Sequence, residues 1–257
     1  MKTQNQTMLS ENTPTSRPTD IIAGFPVRPG FFELNGATPL SNGVNFTAHT
    51  RHGTSCELLL FHSGEEEPFA VLPFPNACRI GDVYSMVVMG LDIEDLEYGY
   101  RIDGPYEPEK GHIFDKTKVL LDPYAKAVAG QREWGQQKIG SYHARVVRDS
   151  FDWEDMPQST RKISDLIIYE LHVRDFTHHP SSGVQHRGTF SGLMEKIPYL
   201  KELGINAVEL MPIFEFDETM NSRTIDDKQL LECWGYNTVG FFAPNSSYAA
   251  ANEHNLE

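Results

Sequence analysis

The hydrophobic pattern of this 257-residue chain changes its period near Ser164. Before that residue, short apolar runs alternate with glycine, proline and asparagine turns, a pattern typical of antiparallel strands. After it, "DLIIYELHV" (Asp165–Val173) and "NAVELMPI" (Asn206–Ile213) are nearly continuous apolar runs. Such runs are typical of parallel strands that are covered on both faces. The two periods therefore predict two domains that are built on different kinds of sheet.

The first part of the chain has the pattern of a β-sandwich. "NGVNFTAHT" follows the turn signal Asn42-Gly43 and places Val44, Phe46 and Ala48 on one face of a strand. "CELLLF" and "VYSMVVM" are further strand candidates, rich in apolar, β-branched and aromatic residues. Several short strands at this spacing predict a sandwich of roughly a hundred residues.

A helix is predicted between the two long apolar runs. The segment "SGLMEKIPYLKELG" has four apolar residues at helical spacing: Leu193, Ile197, Leu200 and Leu203. Ser191 is a candidate N-cap, and Gly204 is a candidate stop signal. Pro198 predicts a kink or a late start of the helix, because a proline in the helix interior costs about 3 kcal/mol. Strand, helix and strand within fifty residues form a βαβ unit, whose crossover should be right-handed.

Composition excludes several classes of protein. With 36 acidic and 22 basic residues, the formal net charge is −14, which disfavours binding to a phosphate backbone, so no nucleic-acid partner is expected. No apolar run approaches the roughly 20 residues that a membrane-spanning helix needs. Three widely spaced cysteines without metal-ligand spacing indicate a reduced, cytoplasmic protein. No metal and no cofactor are expected.

Three segments resemble the isoamylase and glycogen-debranching branch of the α-amylase superfamily: "IIYELHVRDFT", "GTFSGLMEKIPYLKELGINAVELMPIFEFDE" and "WGYNTVGFFAP". Upstream, "YGYRIDGPYEPEKGHIFD" and "LLDPYAKAV" resemble the end of the glucan-associated β-sandwich of those enzymes. The resemblance implies an immunoglobulin-like sandwich of the early-set type, followed by the first β-α-β part of an incomplete (β/α)8 TIM barrel. The expected domains are a disordered tail over 1–20, a carbohydrate-binding-module-like sandwich over 21–130, a linker over 131–163, and a truncated N-terminal portion of the barrel over 164–257.

The function that the resemblance implies is the hydrolysis of α-1,6 branch linkages in glycogen or a related branched α-glucan. Retaining enzymes of this kind use two carboxyl groups about 5–5.5 Å apart. In the family these carboxyl groups follow later strands, so they are expected beyond Glu257, and the chain is expected to be a fragment that is inactive alone. Two alternatives stay open: a glucan-branching transglycosylase of the same superfamily, and a non-catalytic glucan-binding module. The sequence leaves the oligomeric state open.

The residues expected to bind substrate are Tyr236, Trp234 and Asn237. By the resemblance, Tyr236 matches the family tyrosine that stacks on the glucose ring at the bond to be cut. An aromatic face suits the apolar side of a pyranose, and its negative quadrupole suits an oxocarbenium-like transition state. Trp234 either supports the turn or contacts sugar, and Asn237 is expected to make turn hydrogen bonds.

Other polar and aromatic residues are weaker candidates. Glu215, Asp217 and Glu218 in "FEFDE" invite an acid–base hypothesis, but we expect them to be solvated and not catalytic. A metal is not expected in "HHPSSGVQH", a loop rich in proline, serine and glycine without a convincing ligand set. Tyr169 and His172 are expected in the core or behind the site.

Three further aromatic residues are predicted to lie in the sandwich: Trp134, Tyr84 and Tyr106. They are expected either to stack on glucan or to pack against the barrel.

Overall fold

The structure is a computed structural model, and it describes residues 17–129, 134–135, 140–148, 151–152 and 159–250. It divides into two compact units, one formed by residues 1–129 and 140–147 and the other by residues 130–139 and 148–257.

The first unit consists of short antiparallel strands. In chain order they are β1 (Asp20–Ile22), β2 (Phe25–Pro29), β3 (Gly36–Leu40), β4 (Gly43–His49), β5 (Ser55–Phe61), β6 (Ala70–Pro73), β7 (Arg79–Ile80), β8 (Val83–Met89), β9 (Glu97–Asp103), β10 (Tyr106–Glu107), β11 (His112–Ile113), β12 (Ala127–Ala129) and β13 (His143–Arg145). One sheet has the order β1-β2-β8-β4-β3, with β7 added to β8, and the second has the order β12-β13-β9-β5-β6. The predicted β-sandwich is confirmed.

The sandwich core is formed by the central strands of both sheets. On β4, Val44 and Phe46 are fully buried and Ala48 nearly so, as the alternation predicted. Asn45 and Thr47 on the other face of β4 are buried as well. The Asn45 side-chain oxygen accepts a 2.8 Å hydrogen bond from the Phe31 amide, so a covering loop satisfies this buried polar group.

The predicted domain boundaries need correction at both ends of the sandwich. Strand β13 lies inside the stretch predicted as a linker, yet it pairs with β9 and β12. Its His143 stacks on Phe61 at 3.8 Å and lies 3.1 Å from a Glu97 carboxylate oxygen. A three-residue strand with polar side chains carries too weak a pattern to be recognised in the sequence. At the other end, Asp20 lies in β1, whereas residues 1–16 of the predicted tail lie outside the described residues.

The second unit contains a parallel strand pair, three short helices and two antiparallel strand pairs. In chain order they are β14 (Ile168–Leu171), α1 (Val173–His178), α2 (Phe190–Glu195), α3 (Ile197–Glu202), β15 (Ala207–Leu210), β16 (Phe214–Phe216), β17 (Arg223–Ile225), β18 (Lys228–Leu230) and β19 (Thr238–Pro244). No helix in these described ranges, or elsewhere in the described chain, is long and apolar enough to cross a membrane.

The βαβ unit is present, and its helix is broken in two. Strands β14 and β15 are parallel. Between them, α2 ends at Glu195 with Lys196 as its C-cap, and α3 begins with Pro198 in its first turn, so the predicted kink is confirmed. Proline is tolerated there because the first-turn amides have no intrahelical partner. The N-cap of α2 is Thr189, whose hydroxyl accepts from the Gly192 amide at 3.1 Å, and the prediction of Ser191 was wrong.

The strands of this unit are more exposed than their apolar sequence predicts. Ile168 is 55% exposed, Val208 43% and Leu210 37%, although parallel strands with such runs are normally covered on both faces. In the described part of the chain this sheet has two strands, so most of its surface has no neighbouring element to pack against it.

The core of the second unit lies beside the strand pair β16 and β19. Val173, Phe216 and Tyr248 are buried together, and Trp134, Phe190, Leu193 and Ile213 pack against them. Strand β19 pairs antiparallel with β16, so the sequence "TVGFFAP", which the resemblance predicts as part of a loop region beyond the second barrel strand, is a strand.

Candidate functional site

Two exposed aromatic rings mark the segment before β19, residues 233–237, which we call the aromatic turn. Trp234 is 61% and Tyr236 67% exposed. Their ring centroids are 6.4 Å apart at an angle of 68°. Large aromatic side chains usually bury most of their surface, and exposed rings of this kind are suited to binding the apolar face of a ligand.

Gly235 fixes the direction in which both rings point. Its φ is +79°, and a Cβ at this position would lie 3.1 Å from the Phe216 ring and from Pro212 Cβ. Phe216 is fully buried, so the backbone of the turn rests directly on the core. With the middle residue pressed inward, the side chains of Trp234 and Tyr236 are directed to the surface.

Polar contacts hold the aromatic turn at both ends. The Trp234 amide donates to a Glu232 carboxylate oxygen at 2.9 Å, and the Glu232 amide donates to the Glu218 carbonyl at 2.8 Å. Asn237 Nδ2 lies 2.6 Å from Met220 Sδ and so connects the turn to the loop before β17. The role of Asn237 in substrate binding, like those of Trp234 and Tyr236, stays a prediction.

Two carboxyl groups beneath this region are buried, contrary to the expectation that they are solvated. Glu215 and Glu218 are each 1% exposed. Glu215 accepts a 2.7 Å hydrogen bond from the Ser246 amide, and Glu218 accepts one of 3.3 Å from the Ser247 hydroxyl. Asp217, between them, is partly exposed and accepts from the Thr219 amide at 2.8 Å.

Burial changes the chemistry of both groups. Desolvation raises the pKa of Glu215 to about 8 and that of Glu218 to about 7. Glu215 is therefore mostly a neutral acid at pH 7. Because both side chains are enclosed, neither reaches a sugar on the surface. Their contacts show what they do here, which is to hold the turn that follows β19.

His172 and Tyr248 form a second buried polar contact. His172 Nδ1 accepts from the Asp175 amide at 3.1 Å and so caps α1. With Nδ1 accepting, Nε2 carries the proton and donates to Tyr248 Oη, 3.0 Å away. The expectation that His172 lies behind the site agrees with this burial, and Tyr169 is half-buried against Phe176.

The three aromatic residues that sequence reasoning placed in the sandwich have different positions. Trp134 belongs to the second unit, where its ring stacks on Tyr248 at 6.3 Å, so its placement in the sandwich was wrong. Tyr84 is 3% exposed and belongs to the sandwich core. Tyr106 is 71% exposed on β10, opposite Ile113, which is 69% exposed. Of the three, Tyr106 is the one whose ring is available to a ligand.

Among the described residues, the histidines near the loop after α1 contact other polar side chains and form no metal cluster. In the part of the chain that the structure describes, no group of three or more His, Cys, Asp or Glu side chains is placed to hold a metal ion. His186 lies 3.3 Å from a Glu195 oxygen and His179 lies 2.8 Å from the Ser181 hydroxyl.

Comparisons with known proteins agree with the fold. Residues 35–125 match carbohydrate-binding module 48, the isoamylase N-terminal domain. The chain is 38% identical over 234 residues to isoamylase 1, chloroplastic, of Arabidopsis thaliana, covering 86% of this chain and 30% of that protein. It is 34% identical over 239 residues to the glycogen debranching enzyme of Salmonella paratyphi B, covering 87% and 35%. A crystal structure of pullulanase complexed with maltotetraose, from Anoxybacillus sp., matches with a TM-score of 0.64 and 26% identity, covering 87% and 30%.

The sandwich is thus similar to carbohydrate-binding module 48 over residues 35–125. The resemblance of the chain to the isoamylase and glycogen-debranching branch of the α-amylase superfamily is confirmed. The chain spans about a third of the length of the curated relatives it matches.

Proposed function

We propose that the protein of which this chain forms part hydrolyses α-1,6 branch linkages in glycogen or a related α-glucan. The observation that supports this most directly is 34–38% identity, over 86–87% of the chain, to isoamylases and a glycogen debranching enzyme. The expected mechanism is a retaining one with two carboxyl groups about 5–5.5 Å apart.

The aromatic turn is proposed to bind one glucose unit, with Tyr236 as the stacking residue and Trp234 and Asn237 beside it. The support is the outward direction of the Tyr236 ring above the Gly235 pivot. A contact of this type is worth about 0.5–2 kcal/mol, whereas enzymatic rate enhancement requires about 8–23 kcal/mol. The turn therefore contributes to binding and orientation, and the reactive carboxyl groups must come from elsewhere.

Glu215 and Glu218 are not proposed as those carboxyl groups, because both are enclosed by protein. We propose that the 257-residue chain alone binds glucan without cleaving it. Incubation of the purified chain with glycogen, followed by a reducing-end assay, tests this. Cleavage at a rate similar to that of full-length relatives would contradict it.

The strand pair β14 and β15 is proposed to begin a (β/α)8 barrel. The parallel register, the βαβ connection and the exposed apolar residues Ile168, Val208 and Leu210 support this, since barrel strands have a neighbour on each side. Active sites of such barrels lie at the carboxyl ends of the strands, which here are Leu171 and Leu210. A cytoplasmic location is proposed for this protein. The Arabidopsis relative is named as chloroplastic.

Product analysis on amylopectin tests the proposed activity. Release of linear chains with an equal number of new reducing ends indicates debranching. Transfer of chains without a net gain of reducing ends indicates the alternative, a branching transglycosylase.

A second candidate is a non-catalytic glucan-binding module, favoured by the family 48 match and by the exposed Tyr106 and Ile113 on the sandwich. Affinity electrophoresis in glycogen gels, with the sandwich through Val147 and its Tyr106→Ala variant, tests it. The candidate is supported if glycogen slows the migration of the sandwich and does not slow that of the Tyr106→Ala variant.

A further inference from the structure

The loop between α1 and α2 borders a cavity whose side chains have no part in the proposed glucan site. The cavity has a volume of about 740 Å³. Its lining includes two arginines and three histidines: Arg174, Arg187, His178, His179 and His186. No Asp or Glu is among its lining residues in the described part of the chain. In a chain of net charge −14, this concentration of cationic and potentially cationic groups is unusual.

The wall of the cavity is held rigidly by hydrogen bonds. Glu195 accepts from the amides of Gln185 and His186 at 2.8 and 3.0 Å. The Gly188 amide donates to the Thr177 hydroxyl at 2.8 Å. Gly188 has a φ of +79°, and a Cβ there would lie 3.3 Å from Arg174 Cγ. The loop is therefore preorganised close to Arg174, which lowers the entropy cost of binding.

The two arginines differ in how strongly their charge is offset. Arg174 stacks over the Trp134 ring at 4.4 Å and lies 3.6 Å from an Asp175 oxygen. Arg187 is exposed and forms no ion pair with any residue that the structure describes. Burial lowers the pKa of His178, and the nearby charges of Arg174 and Arg187 act in the same direction, whereas the charge of Asp175 opposes them. Two carboxylates lie against the lining, Asp175 beside Arg174 and Glu195 beside His186, so the guanidinium group of Arg187 is the cationic group without an ion pair among the described residues.

We propose that this cavity binds a phosphomonoester carried on a sugar. Guanidinium groups and imidazole N–H groups are the usual partners of phosphate oxygens. The cavity is much larger than a phosphate group alone, and its volume lies within the range of small-molecule sites. The side chains of Gln185, Thr189 and Ser247 also line it and can share hydrogen bonds with sugar hydroxyls. Its lining shares no residue with the aromatic turn, and the proposal does not depend on the debranching activity.

Isothermal titration calorimetry of the 257-residue chain tests the proposal, with glucose 6-phosphate, inorganic phosphate and glucose as probes at constant ionic strength. Glucose 6-phosphate should bind at one site, at least 10-fold more tightly than either of the others. Equal binding of glucose would overturn the phosphate assignment, equal binding of inorganic phosphate would overturn the sugar assignment, and absence of binding would overturn both.

Substitution of Arg187 locates the site. Hydrogen bonds to charged groups contribute about 1.5–3 kcal/mol, so Arg187→Gln should weaken glucose 6-phosphate binding about 10- to 100-fold. Arg223→Gln makes the same change of charge at an exposed arginine on β17 and should leave binding unchanged. Circular dichroism checks that the Arg187→Gln and Arg223→Gln variants fold. Arg187→Lys keeps the charge and should therefore bind glucose 6-phosphate more tightly than Arg187→Gln does. Equal weakening by Arg187→Gln and Arg223→Gln would show a general charge effect and contradict the site.

Discussion

Glu215 Oε2 accepts a 2.7 Å hydrogen bond from the amide of Ser246, which joins β16 to the turn that follows β19. The carboxyl group is 1% exposed, and its pKa is raised to about 8 because desolvation disfavours the charged form. A hydrogen bond to an amide favours the ionised form, and here it offsets only part of the desolvation. The stability of the second unit should therefore depend on pH.

The free energy of unfolding of the second unit should fall as the pH rises from about 4.5 to about 8. The folded pKa of Glu215 lies above its unfolded value, so its stabilisation is fully present below the unfolded pKa and is lost as the pH approaches the folded pKa. Glu218, with its pKa raised to about 7, acts in the same direction. Each group contributes a slope of at most about 1.4 kcal/mol per pH unit.

Denaturant unfolding between pH 4.5 and 8, followed by tryptophan fluorescence, measures this slope. Glu215→Gln keeps the shape of the side chain and removes its titration, so the slope should become smaller. Glu195→Gln is the matched control, because hydrogen bonds from the Gln185 and His186 amides lower the pKa of this exposed carboxyl group, and its contribution has the opposite sign. An unchanged slope in Glu215→Gln would contradict the prediction.

Gly235→Ala should destabilise the second unit more than Gly204→Ala does. Both glycines have positive φ, +79° and +89°, so alanine is strained at either site by about 1–3 kcal/mol. A Cβ at position 204 meets nothing within 4 Å, whereas at position 235 it lies 3.1 Å from the Phe216 ring. The difference between the midpoints of urea unfolding of the two variants measures the close contact alone. Equal midpoints would show that the turn does not rest on Phe216.

Much of the fold is predictable from local pattern, as β4 and the helix with Pro198 show. In each case, a few residues with strong preferences determine the element. The strand β13 is different, because "HAR" has no period of its own and becomes a strand through pairing with β9 and through the contact of His143 with Glu97. Tertiary pairing of this kind leaves no local signal in the sequence.

The buried carboxyl groups were missed for a related reason. Charged residues in a short acidic stretch are usually solvated, and composition gives no sign that a later segment covers them. Glu215 is buried because β19 pairs with β16 and the turn containing Ser246 then lies over it, about thirty residues further along the chain.

Tyr236→Ala should weaken the binding of maltooligosaccharides to this chain about 2- to 30-fold, the equivalent of about 0.5–2 kcal/mol. The side chain is 67% exposed, so its removal should leave the melting temperature nearly unchanged. Tyr199→Ala removes a similarly exposed tyrosine, 50% exposed on α3, and should have no effect on affinity. Titration calorimetry with maltohexaose gives the affinities. If the two variants bind equally well, the aromatic turn is not a sugar site.

The sandwich should fold alone when the chain ends at Val147 and should fail to fold stably when it ends at residue 130. The shorter chain lacks β13, so β9 and β12 each lose a strand partner. It also removes the hydrogen bond between His143 and the Glu97 carboxylate, which is 3% exposed, and leaving a buried polar group without its partner costs about 1–3 kcal/mol.

Thermal melts followed by circular dichroism distinguish the two chains: a cooperative transition is expected for the one ending at Val147, and a broad or absent one for the other. His143→Ala in the longer chain is the control for the side-chain contact alone. It should lower the melting temperature while keeping the transition cooperative, because the backbone pairing of β13 remains. Equal stability of the two chains would show that β13 is dispensable and that residue 130 is the true end of the domain.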